Sequence, residues 1–208
     1  MNFIQCVEDG KATVVRYLLA AWRENDYLLL ERFLRAQLHP YPVEMASFVW
    51  EMAQRCSLWD RTPFTDFSAL HVAARHGRAE IAIMLIDAGM DPNVTANGGF
   101  APLHAAAQKD NVKMIGILVE RGADLEARYT PPDGNSFTPL HAAAQAGQAA
   151  AVLALLSTGA SHKALDAMGR TPFDIASFML HNRTIMAKKV HRYRLARQIL
   201  ARAGDCLS

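Results

Sequence analysis

The sequence has few of the features that mark a membrane-spanning, secreted or metal-binding protein. In its 208 residues no apolar run approaches the length of about 20 residues that a membrane-spanning helix needs. The N-terminus lacks the basic, apolar and small-residue pattern of a cleaved signal peptide. The three cysteines, Cys6, Cys56 and Cys206, are far apart and lack metal-ligand spacing, which favours a reducing compartment. We therefore expect a cytoplasmic protein, with export without a cleaved signal as the alternative.

Motifs of enzyme chemistry are also missing. There is no glycine-rich phosphate loop, because Asp133-Gly134-Asn135 has the composition of a turn. No cysteine lies in a sequence context that identifies a nucleophile. The sequence therefore predicts a protein that is not an enzyme, without catalytic residues, cofactor or metal.

What the sequence does contain is one phrase that returns several times. It occurs as FSALHVAARHGR (67–78), FAPLHAAAQKDN (100–111) and FTPLHAAAQAGQ (137–148), with an altered copy, RTPFDIASFMLH, from Arg170. His71 and His104 are 33 residues apart, His104 and His141 are 37 apart, and Asp174 follows 33 residues later. A nearly fixed period of this length is the signature of stacked structural repeats.

Each copy of the phrase predicts a pair of short helices. Thr138 is a good N-cap for the first helix, and Pro139 suits the first helical position, where no amide partner is lost. Gly147 ends that helix, because glycine adopts the left-handed C-cap conformation without strain. A second helix over about 149–157 ends at Gly159. Neither helix is long enough to be stable alone, so the units must stack.

These residues resemble the ankyrin repeat. The resemblance rests on SALH (68–71), APLH (101–104), TPLH (138–141) and the Gly-Ala-Asp at 122–124, and it covers about residues 66–180. It implies an all-α solenoid of stacked helix–turn–helix units with helical caps. In this family the repeated histidine bonds to the capping Thr or Ser, so the resemblance implies structural roles for His71, His104, Thr138, His141 and Thr171.

The resemblance divides the chain into three parts. Residues 1–65 are a helical N-terminal cap or degenerate repeats, with helices of a degenerate unit at about 26–37 and 43–55. Residues 66–183 are the repeats, and 184–208 are a basic C-terminal capping helix and tail. The repeat boundaries are about 66–98, 99–135 and 136–168, with the start of a terminal repeat at 169–183.

The repeat resemblance implies that a partner protein binds the concave face, which we define as the loop tips and the exposed ends of the first helices. Phe67, Phe100 and Phe137 precede the caps, and they either pack on the next loop or form an exposed apolar row. The other candidate partner-binding residues are Arg75, His76, Gln108, Lys109, Arg128, Tyr129 and Gln145. We expect an adaptor, scaffold or inhibitor, monomeric, with a secreted bacterial effector acting on a host protein as an alternative setting.

The C-terminal segment carries a second possibility. Residues 175–204 contain seven basic residues and no acid, and subtracting these seven from the 22 basic residues leaves 15 against 20 acids in the rest of the chain. A helix over about 184–203 would close the stack with an apolar stripe. Its basic side would alternatively bind a polyanion, either nucleic acid or an anionic membrane surface. This secondary site comprises Arg183, Lys188, Lys189, Arg192, Arg194 and Arg197.

Overall fold

A computed structural model describes residues 7–9, 12, 15–16, 66–132, 134–181 and 187–205, with the side chains of the last range described for 190–204. This part of the chain is built from helix pairs, which confirms the predicted all-α solenoid. No helix in these ranges is long and apolar enough to cross a membrane. The helices are α1 (Ala69–His76), α2 (Ala79–Asp87), α3 (Pro102–Gln108), α4 (Val112–Glu120), α5 (Pro139–Ala146), α6 (Ala149–Ser157), α7 (Pro172–His181) and α8 (Ala187–Asp205).

The first helices of successive units pack side by side, as do the second helices. Helix α1 contacts α3, α3 contacts α5 and α5 contacts α7, while α2, α4, α6 and α8 form a second row. Ala73, Ala106 and Ala143 are completely buried between the first helices. Their small side chains let neighbouring helices approach closely, so the core is one continuous layer along the stack.

The turn between the paired helices requires a left-handed residue. Gly77 and Gly147 have φ of 67° and 68°, and Asp110, which takes the place of glycine, has φ of 60°. Asp110 also has a function that glycine could not perform. Its Oδ1 accepts a hydrogen bond of 2.7 Å from the backbone N of Ala151 in the first turn of α6, so it links one unit to the next.

The described N-terminal residues contact the first clear repeat directly. Val7 and Val15 are completely buried in the common core. Arg78 donates two hydrogen bonds, of 3.2 and 2.9 Å from Nε and Nη2, to the backbone oxygen of Glu8. The segment that contains Glu8 is therefore the direct neighbour of the unit that contains Arg78. The predicted helices at 26–37 and 43–55 lie outside the described residues.

The C-terminal helix packs on the end of the stack, in the part of the chain where the sequence predicts a capping helix. Helix α8 packs against α7 and α6, with Tyr193, Ala196 and Leu200 at 5%, 0% and 3% exposure. It thus serves as the second helix of the last unit. The predicted apolar stripe is the reason, because Tyr193, Ala196 and Leu200 lie at helical spacing and are buried on the side of α8 that contacts the stack.

Candidate protein-binding surface

The repeated histidine lies inside each unit and bridges it to the next. The Nδ1 of His141 accepts from the hydroxyl and the backbone N of Thr138, at 2.8 and 3.3 Å. Because Nδ1 is an acceptor, the proton is on Nε2, which donates to the backbone oxygen of Arg170 at 3.1 Å. The bonds thus cap α5 and connect the third unit to the fourth.

The same bridge recurs in the two earlier units. The Nε2 atoms of His71 and His104 donate to the backbone oxygens of Phe100 and Phe137 at 2.7 and 3.0 Å. Burial lowers the pKa of His104 to about 4, although its hydrogen bond to the Phe137 oxygen acts in the opposite direction. Burial also lowers the pKa of His141. The imidazoles of His104 and His141 are therefore neutral near pH 7. The three histidines form a row, each one buried in its own unit, and do not converge on a common point.

The fourth unit ends this row of bridges. The Oδ2 of Asp174 accepts from the backbone N and the hydroxyl of Thr171 at 2.9 and 2.7 Å. The carboxylate therefore caps α7 as a histidine would, but makes no bridge onward within the described residues. No group of three or more His, Cys, Asp or Glu side chains in the described ranges could hold a metal ion.

Of the two arrangements that the sequence left open for the phenylalanines, packing within the stack applies to two of the three rings, so they form no exposed row. Phe100 and Phe137 are 7% and 3% exposed, and only Phe67 is half-buried. Each buried ring lies over the histidine of its own unit, with centroids 5.4 Å apart for Phe100 and His104 and 6.1 Å apart for Phe137 and His141. The backbones of Ala96 and Tyr129 also pair with those of Phe100 and Phe137 as isolated β-bridges, which hold each phenylalanine at the base of its own loop.

Five of the predicted binding residues nevertheless come together around one depression. It has a volume of about 150 Å³ and lies between the first and second clear repeats. The rings of Phe67 and Phe100 stack at 5.3 Å with only 5° between their planes. Arg75 and Lys109, both exposed, stand at the ends of α1 and α3. The lining residues are Phe67, Arg75, Phe100, Ala105, Gln108 and Lys109.

The remaining predicted binding residues lie elsewhere on the concave face. His76 is exposed and Gln145 is half-buried at the ends of α1 and α5. Arg128 is exposed, and its Nη1 donates to the backbone oxygen of Leu165 at 2.6 Å, which ties one loop tip to the next. Tyr129 packs edge-on against Phe100 at 4.8 Å and 84°. Arg128 and Tyr129 are thus partly committed to the stack itself.

Sequence reasoning missed the apolar residues at the C-terminal end of the concave face. Leu165 and Phe178 are 51% and 60% exposed. Asp166 N donates to Arg170 O as Tyr129 N donates to Phe137 O, so Leu165 occupies the position of Arg128. An alignment of the altered copy at 170–181 with residues 137–148 places Phe178 at the position of Gln145. That alignment would have shown that an aromatic residue replaces a polar one at the end of the first helix.

Three of the six predicted basic residues of the C-terminal segment, Arg192, Arg194 and Arg197, have described side chains. Arg192 bonds to the side-chain oxygen of Gln148, Arg194 is exposed and Arg197 is half-buried. Lys188 and Lys189 lie in the first turn of α8, and Arg183 lies outside the described residues. The exposed basic positions described on α8 are therefore Arg192, Arg194 and Arg202.

Comparison with known proteins agrees with this architecture. A family model described as "Ankyrin repeats (3 copies)" matches residues 3–129, and one described as "Ankyrin repeats (many copies)" matches residues 103–156. Neurogenic locus notch homolog protein 1 of Homo sapiens is 39% identical over 88 residues, and homolog protein 2 is 46% identical over 76. Homolog protein 1 of Xenopus laevis is 41% identical over 85 residues. These matches cover 42%, 36% and 40% of this chain but only 3% of each relative.

Proposed function

Because the chain belongs to the ankyrin-repeat family, a non-catalytic fold that serves protein–protein interaction, we propose that it binds one partner protein through its concave face as an adaptor, scaffold or inhibitor. The depression between the first two clear repeats carries this proposal. It brings Phe67, Arg75, Gln108 and Lys109 to one place, and neither of the two charges forms an ion pair with another described residue. Aromatic and arginine side chains are enriched in protein interfaces.

The buried histidines support a role without catalysis. His71, His104 and His141 are completely buried, and each has its two nitrogens bonded within the stack. A catalytic base must reach the proton that it abstracts. These side chains therefore hold neighbouring units in register, and a rigid stack presents its surface to a partner without an ordering cost.

Affinity capture from cell lysate with mass spectrometry tests the proposal. The concave variant combines Arg75→Ala, His76→Ala and Lys109→Ala. The control variant removes three exposed cations elsewhere, Lys113→Ala, Arg194→Ala and Arg202→Ala. Thermal melting must first show that both variants are folded.

The outcomes separate the two functions that the sequence predicted. A protein retained by wild type and control, but lost from the concave variant, supports the proposal. Loss from the control variant alone would instead favour polyanion binding through the exposed arginines of α8, and that binding should weaken with salt. A capture list unchanged in both variants would contradict the concave-face proposal.

A further inference from the structure

The depression on the concave face has an apolar floor with positive charge on both sides. The half-buried ring of Phe67 supplies the apolar surface, while Ala105 and Phe100, which stacks in parallel on Phe67, line the depression and are 3% and 7% exposed. A cavity of about 150 Å³ is large enough for one benzene-sized group. The floor can therefore take one aromatic or branched aliphatic side chain.

The charges beside this floor are not neutralised by the described part of the chain. Two ion pairs are present in these ranges, Arg121 with Asp87 and Arg170 with Asp166, and neither involves Arg75 or Lys109. Both of these side chains are exposed. The described residues therefore place two positive charges, which pair with no described carboxylate, beside the ring of Phe67.

The nearest acids along the chain do not cancel these two charges. Asp110, beside Lys109, directs its Oδ1 at the backbone N of Ala151 and so compensates the N-terminal end of α6. Asp66 precedes Phe67, is half-buried and takes part in an interaction of its own. This surface therefore favours binding of a ligand that carries negative charge.

We propose that the depression binds an acidic segment of a partner protein, which places one aromatic or branched aliphatic side chain on Phe67 and carboxylates against Arg75 and Lys109. This inference rests on the proposed function and names the chemistry of the partner. A guanidinium can bind a carboxylate through two parallel hydrogen bonds, while the lysine contributes a point charge. The apolar contact supplies affinity, and the two charges select the partner's acidic sequence and the direction in which the segment binds.

A random phage-displayed peptide library, selected on the full chain, provides the probe. The test variant is Arg75→Glu with Lys109→Glu, and Arg194→Glu with Arg202→Glu makes the same change of charge at exposed positions of α8. Enriched peptides should carry acidic residues around one aromatic or aliphatic residue. Their affinity should fall by about tenfold or more for the test variant and stay close to wild type for the control. Replacing the apolar peptide residue by Ala should weaken binding to wild type similarly.

Each other outcome overturns the proposal. The proposal is wrong if the enriched peptides show no acidic bias, if both variants lose affinity for them equally, or if wild type binds them no better than the test variant does. It is also wrong if a single-stranded oligonucleotide binds at Arg75 and Lys109 in preference to the peptides. Peptides that depend on Gln145 or Arg128 instead would leave the concave face as the binding surface. Peptides insensitive to every concave variant would contradict the proposed function as well.

Discussion

The hydroxyl of Tyr193 donates a hydrogen bond of 3.0 Å to the backbone oxygen of Gln145, at the end of the first helix of the preceding unit. Gln148 makes the equivalent bond one unit earlier, to the Gln108 oxygen at 2.8 Å. Two units earlier Asn111 donates to the oxygens of Ala74 and Arg75 at 2.8 and 3.3 Å, and Arg78 donates to the Glu8 oxygen of the N-terminal segment. Four different side chains thus satisfy a helix C-terminus in the neighbouring unit. Arg78, Asn111 and Gln148 are the N-caps of second helices, whereas Tyr193 lies inside α8. The helix end therefore requires a donor of suitable reach and not a particular residue type.

We expect Tyr193→Phe to lower the free energy of unfolding by about 1 kcal/mol, because it leaves the Gln145 oxygen without this bond while keeping the buried ring. Chemical denaturation of both proteins measures the difference. Tyr129→Phe is the matched control, since the Tyr129 hydroxyl makes no hydrogen bond to the described residues. Equal stability of wild type and Tyr193→Phe would show that water replaces the bond.

His104→Ala should destabilise the protein by roughly 1–3 kcal/mol, because the backbone oxygen of Phe137 loses a buried donor and the cap of α3 loses its acceptor. Partner binding should persist where the variant is folded. His76→Ala, at an exposed position, should change stability by less than about 0.5 kcal/mol. If His104→Ala were fully stable but inactive in a biochemical assay, the structural assignment of this histidine would be wrong.

Stability should fall as the pH is lowered from 6.5 towards 4. The pKa of His104 is about 4 in the folded protein, below the ordinary value of 6.5, so the unfolded chain binds protons in this window while the folded chain does not. The contribution of the neutral imidazole is present above pH 6.5 and decreases by at most about 1.4 kcal/mol per pH unit. His141, whose pKa is also lowered, acts in the same direction.

Urea midpoints measured at several pH values between 7 and 4 check this sign. In His104→Gln the slope should be shallower, because one buried titrating group is gone. A midpoint that rises as the pH falls would contradict the buried neutral state of these histidines.

Asp110→Gly should destabilise the protein by about 1 kcal/mol, even though glycine is the residue that suits a φ of 60°. The variant loses the bond from the backbone N of Ala151 and the favourable charge at the start of α6. Asp110→Asn keeps an acceptor oxygen and should lose less. If Asp110→Gly were more stable than wild type, backbone strain at this position would outweigh the cap.

Much of the repeat architecture could be predicted because it depends on local chemistry. The predicted second helix at 149–157 coincides with α6, and Gly147 ends α5 in the left-handed conformation that was expected. Caps, glycine turns and apolar periodicity act within a few residues, so they can be identified without knowledge of distant contacts. The period of the phrase then indicated that the units stack.

The tertiary structure alone decided how far each of these side chains is exposed. Phe67 and Phe100 occupy the same position in the sequence phrase, yet one is half-buried and the other is 7% exposed. Likewise, Arg75 remains exposed while Arg128 binds the oxygen of Leu165. Sequence by itself determined the unit and its stacking, because helix signals are local. Exposure and charge pairing were decided by the fold, because they depend on the neighbouring unit that packs against each residue.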